Sequence, residues 1–256
     1  MTLGAVYFKQ GLLDKAAGTL AGAVKTDPKC ETAWNNLGLV YAKQGKIPDS
    51  IEAFEEATAI DPCYADAWAG LGEAYLKAER PWDSARALSR AVTISPENGK
   101  AWEALGAAYI AQKAPGKAAE ALEKATQLNP QSAAAWASLG LVYCKAGRTR
   151  EGIGALERAV FADPGRAGLW YSLGLLYQHE HKLDRAVDAF KRALAIEPRN
   201  ARVWNCLLES LCKSGNHVVA WEQVRKARKL DVRMDESILE QLRLKMPEPK
   251  GDANGD

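Results

Sequence analysis

The sequence of 256 residues predicts an all-α solenoid built from helix–turn–helix repeats. Three observations carry this. Six tryptophans, Trp34, Trp68, Trp102, Trp136, Trp170 and Trp204, stand 34 residues apart without a slip. A period of roughly 20–50 residues means one supersecondary unit stacked on itself. Behind each of the first five, leucine, glycine and tyrosine keep the same period, and a small residue, a large apolar residue, Ala and Pro follow in fixed order.

Counting Trp as position 4, the second unit begins at Glu31. Position 8 is Gly38, Gly72, Gly106, Gly140 and Gly174; position 11 is Tyr41, Tyr75, Tyr109, Tyr143 and Tyr177. Positions 4, 8 and 11 share one side of a 3.6-residue helix, the first helix of each unit. Glycine there permits a close helix crossing, at a cost of about 1 kcal/mol relative to Ala. Position 20 is small (Ser50, Ser84, Ala118, Gly152, Ala186, Ala220) and position 24 large (Phe54, Leu88, Leu122, Leu156, Phe190, Val224). Position 27 is Ala57, Ala91, Ala125, Ala159, Ala193 and Ala227. These form the buried stripe of a second helix, with position 27 again allowing close approach. Pro62, Pro96, Pro130, Pro164 and Pro198 at position 32 end that helix, because the residue before Pro is pushed out of the α region. Gly11, Gly45, Gly147 and Gly215 at position 15 suit the C-terminal cap of the first helix. Pro81 and Pro115 mark the start of the second helix in units three and four.

The ends differ. In residues 1–30 the pattern holds from Leu3 and Gly4 to Pro28, but position 4 falls before Met1, so this unit reads as truncated. Five regular units follow at 31–64, 65–98, 99–132, 133–166 and 167–200. Unit 201–234 is degenerate, with Leu208, Leu211 and Val232 at positions 8, 11 and 32. A terminal unit has one neighbour only and is expected to be atypical. Ile238, Leu239, Leu242 and Met246 recur at helical spacing, which predicts a capping helix over 235–246. Residues 247–256 are polar and Pro/Gly-rich and are expected to be disordered.

The pattern resembles the tetratricopeptide repeat (TPR), W-x2-L-G-x2-Y followed by small, large, Ala and Pro. The resemblance runs from residue 1 to about 232. It implies a right-handed superhelix whose first helices line a concave face that holds a partner's peptide or helix. Chaperone-binding members of the family clamp carboxylates with Lys, Asn and Arg at positions 5 and 9, and position 9 here has none of these. Glycosyltransferase-linked arrays carry an Asn ladder at position 6, where this chain has only Asn36.

Net charge is +2, which points to neither nucleic acid nor a membrane surface. No apolar run reaches the length of a transmembrane helix. The five cysteines form no C-x2-C pair, so no zinc site of that kind is expected, and scattered thiols fit a reducing cytosol. His179 and His181 flank Glu180, but a metal would need a further ligand. Arg225, Lys226, Arg228, Lys229 and Arg233 make the last unit basic, either a solvated face or a patch for an acid or a phosphate. No nucleophile elbow, phosphate loop or supported Cys–His pair is present, and neither an enzyme nor a cofactor is expected.

The expected partner groove consists of first-helix residues turned away from the packing stripe. At position 5 these are Asn35, Ala69, Glu103, Ala137, Tyr171 and Asn205. At position 9 they are Leu39, Glu73, Ala107, Leu141, Leu175 and Glu209, and at position 12 Leu76, Ile110 and Gln178. The alternative is that positions 9 and 12 only support packing between repeats. The resulting expectation is a cytoplasmic protein-interaction scaffold that binds a protein or peptide, with self-association through the terminal repeats as a further possibility. A second reading is the regulatory or substrate-recruiting array of a larger enzyme such as a transferase.

Overall fold

The computed structural model describes residues 3–249. Its described residues form fifteen α-helices and no strand. They divide into two compact units, cut between Gln131 and Ser132, that is between the fourth and fifth repeats.

The first unit holds four helix pairs: α1 (Leu3–Lys9) with α2 (Leu13–Thr26), α3 (Glu31–Gln44) with α4 (Ile47–Ile60), α5 (Ala65–Lys77) with α6 (Pro81–Ile94), and α7 (Gly99–Ala111) with α8 (Pro115–Leu128). The second holds α9 (Ala133–Lys145) with α10 (Thr149–Ala162), α11 (Ala167–His179) with α12 (Leu183–Ile196), α13 (Ala201–Lys213) with α14 (His217–Lys229), and a final helix α15 (Glu236–Lys245). Within each unit, each second helix also packs against the first helix of the next pair, as in a TPR solenoid.

Close crossing at position 8 is explicit. A Cβ placed on Gly38, Gly72, Gly106 or Gly174 would lie 2.4–2.8 Å from the position-24 side chain of its own pair. Those side chains, Phe54, Leu88, Leu122 and Phe190, are at most 1% exposed. The position-27 alanines from Ala57 onward are fully or almost fully buried. Ala23 at the same position is exposed.

Helix ends follow the punctuation. Asp27, Asp61, Ser95, Asn129, Asp163 and Glu197, each just before Pro, leave the α region at φ between −120° and −138°. Gly11, Gly45, Gly147 and Gly215 take left-handed φ of 75–78°. The same turn in the other repeats is left-handed without glycine, at Glu79, Lys113 and His181, with φ of 56–58°. Pro81 and Pro115 stand in the first turn of α6 and α8, where a missing N–H costs nothing.

The tryptophans do more than fill space. The indole N–H of Trp34 donates to the Pro28 carbonyl at 3.0 Å, and Trp68 to Pro62 at 3.0 Å. Trp102 to Pro96, Trp170 to Pro164 and Trp204 to Pro198 repeat the bond at 2.8–2.9 Å. Each ring therefore buries apolar area in its own repeat and satisfies its one donor on the turn that ends the previous repeat.

The last pair departs as its sequence requires. Leu208 replaces the glycine of the crossing, and α13 and α14 pack less closely than the pairs before them. Fully buried Trp221 sits on this pair, and its indole N–H donates to the Met246 carbonyl at 3.0 Å. Helix α15 covers the end with Leu239 and Leu242, both in the same core cluster as Leu208 and Trp221. Its cap is Asp235, whose carboxylate accepts from the Ser237 N–H at 2.9 Å. The expected disordered tail lies outside the described residues from 250 onward; within 247–249, Glu248 pairs with Arg228 at 2.5 Å.

Candidate functional site

The first-helix face is open at position 9. In the first unit Leu39 is 39% exposed, and Glu73 and Ala107 are exposed too. In the second unit Leu141 is 48% and Leu175 37% exposed, while Glu209 is half-buried. Position 12 lies deeper: Leu76, Ile110 and Gln178 are half-buried. So are Ala69, Glu103, Ala137, Tyr171 and Asn205 at position 5.

Two of the expected groove residues have other duties. Asn35 is 5% exposed and faces the Tyr64 phenol, so it is not on the open face. The period cannot show this, because Tyr64 comes from the turn that enters the next repeat. Asn205 accepts a hydrogen bond from the Asp235 N–H at 3.1 Å and so helps to hold the segment leading to α15.

In the second unit the face changes character along the chain. Helices α9 and α11 present Leu141 and Leu175, and α13 is polar. The Lys213 ammonium at 2.7 Å holds the Glu209 carboxyl below the usual carboxylate range, with Gln178 adding to the effect. Burial, then Cys206, push the Tyr171 phenol up. Burial also raises the Cys144, Cys206 and Cys212 thiols, which therefore stay protonated at neutral pH and lack the thiolate a nucleophile needs. Among the described residues no group of His, Cys, Asp or Glu could hold a metal ion, and no helix is long and apolar enough to cross a membrane.

Sequence reasoning missed a latch between successive repeats. The Tyr75 hydroxyl donates to Glu55 at 2.5 Å, and Tyr177 to Glu157 at 2.5 Å. Burial, then the carboxylate, push both phenols up to about 12. The signal was present as a glutamate at position 25, 20 residues ahead of a tyrosine. Also missed were the exposed aromatics of the second helices, Trp82 at 72% and Phe161 at 78%.

Residues 71–242 match the family model described as the Cilia and flagella-associated protein 70 C-terminal domain. Residues 1–65 and 41–98 match a tetratricopeptide-repeat model. No significant match is found among curated proteins. Among solved structures, the chain is similar to MamA at 30% identity and a TM-score of 0.61, over 65% of this chain and 97% of that one. It is similar to Pseudomonas aeruginosa pilF at 20% identity and a TM-score of 0.66, over 86% and 93%. YrrB, described as a TPR protein with an unusual peptide-binding site, aligns at 20% identity and a TM-score of 0.63, over 73% and 96%. The repeat register, the glycine crossings and a family model spanning more than half of the sequence agree: this chain belongs to the tetratricopeptide-repeat family, in the group described by the C-terminal domain of cilia and flagella-associated protein 70.

Proposed function

We propose that the chain is a protein-interaction scaffold whose first-helix face holds a peptide or helical segment of a partner protein. The observation that carries this is the pair of exposed leucines at one register position of the second unit, Leu141 and Leu175, with Leu39 exposed at the same register position in the first. Leucine is not needed there for packing, since Glu73 and Ala107 occupy the same position in other repeats. An apolar side chain left in water on a repeated face marks a docking strip. The similar fold of YrrB carries a peptide-binding site, which supports the class of ligand.

The test is affinity capture with mass spectrometry, comparing the native chain with Leu141→Asp combined with Leu175→Asp. In the free protein both carboxylates face water and cost little; under a partner they cannot be desolvated cheaply. The expected result is loss of specific partners with the melting temperature nearly unchanged. An identical partner set in both samples would overturn the assignment. A much lower melting temperature would show that these leucines belong to the core.

A further inference from the structure

The junction formed by α12, α13 and α14 carries lysines where two other junctions carry a tyrosine–glutamate latch. At two other junctions a glutamate at position 25 accepts from the next repeat's tyrosine, Glu55 from Tyr75 and Glu157 from Tyr177. Here position 25 is Lys191, and the tyrosine position is Leu211. A cleft of about 400 Å³ lies between α12, α13 and α14. Its floor is apolar: Leu194, Trp204, Leu207 and Leu230. Its rim carries Lys191, Lys226 and Lys229, and among the described residues no acidic side chain lines it. Asp188 and Glu222, one turn before Lys191 and Lys226 on their own helices, form no ion pair with them. The corresponding junction in the first unit supplies its own counter-ions: Asp83 pairs with Arg80 at 2.8 Å and with Arg86 at 2.7 Å.

A second departure lies at the cleft wall. Position 23 is alanine in five repeats, Ala53, Ala87, Ala121, Ala155 and Ala189, and Gln223 in the last. Gln223 is only 6% exposed. Core packing at this position asks only for a methyl group. An amide there supplies a donor and an acceptor beside the apolar floor, as a peptide main chain requires.

We infer that this cleft is a second interaction surface, separate from the first-helix face, and that it takes an acidic segment of a partner protein carrying an apolar anchor. The anchor enters against Trp204 and Leu230, the flanking carboxylates meet the three ammonium groups, and Gln223 meets the main chain. Charge complementarity selects the acid, and the apolar floor selects a peptide over a purely charged polymer.

The test is fluorescence anisotropy on the full chain, with a labelled peptide holding a Phe-Leu pair between flanking aspartates. The peptide should bind, and replacing its aspartates by asparagine or its Phe-Leu pair by serine should each abolish binding. Lys226→Glu combined with Lys229→Glu should weaken binding by about tenfold or more, with circular dichroism unchanged because both lysines are exposed. Leu141→Asp combined with Leu175→Asp should leave it intact, which separates this surface from the first-helix face. Full binding by the lysine variant, or loss of binding in the leucine variant, would overturn the inference. Equal displacement of the peptide by single-stranded DNA or by anionic phospholipid vesicles would show that the cleft reads charge alone and would also overturn it.

Discussion

Replacing Gly106 by Leu tests the repeat register at its tightest point. A Cβ on Gly106 would lie 2.5 Å from Leu122 Cγ and 2.7 Å from Leu122 Cδ2. Ordinary carbon–carbon contacts are about 3.5–4.0 Å, so the first added carbon is already roughly 1 Å too close. Leu122 is 0% exposed and cannot swing into solvent. Either Leu122 leaves its rotamer, at about 0.5–1.5 kcal/mol, or α7 and α8 separate and lose packing around Leu105, Ala108, Ala121 and Ala125. The helix gains about 1 kcal/mol on losing a glycine, against an overpacking cost of about 1–3 kcal/mol or more. Gly106→Ala should therefore be destabilising by about 1 kcal/mol, and Gly106→Leu, with three more carbons in the same crossing, by about 3 kcal/mol. The assay is urea denaturation followed by circular dichroism, with Lys124→Gln on the exposed side of α8 as the control. Combining Gly106→Ala with Leu122→Ala should cost less than the sum of the two single changes, because the second makes room for the first. Equal midpoints for Gly106→Leu and the control, or strict additivity in the pair, would refute the crossing described here.

Two further predictions follow from backbone and charge. Gly147 and Gly154 both have open space around a would-be Cβ, but Gly147 is left-handed at φ 77° and Gly154 lies in α10. Gly154→Ala should raise stability by about 0.5–1 kcal/mol, and Gly147→Ala should lower it by about 1 kcal/mol; thermal denaturation showing the same sign for both would disprove the assignment. The Tyr75 and Tyr177 phenols titrate near 12 in the folded chain, above their ordinary value of about 10. Their stabilisation is therefore whole below about pH 10 and is lost as pH rises through 12. The melting temperature of the native chain should fall more steeply over that window than that of Tyr75→Phe combined with Tyr177→Phe, and parallel profiles would remove the latch from the alkaline response.

The sequence by itself determined the repeat, its helix pairs and the chemistry of the ends. Those features are local or strictly periodic: Gly106 and Leu122 lie within one unit, Pro198 dictates the conformation of Glu197, and a buried position recurs every 34 residues. The tertiary structure alone decided what each side chain meets across a junction. The Trp204 indole bonds to the Pro198 carbonyl, Tyr177 reaches Glu157, Asn205 turns to the Asp235 N–H, and Asn35 is covered beside Tyr64. The period places all four on helix faces without naming their partners. The same holds for Glu79, Lys113 and His181, which adopt a left-handed turn their side chains do not favour because the two flanking helices fix its geometry. Hydrophobic burial depends on the face of one helix and so leaves a repeating trace in the chain. Hydrogen-bond partners and open clefts depend on how neighbouring helices are placed side by side, and that placement is fixed only when the repeats stack.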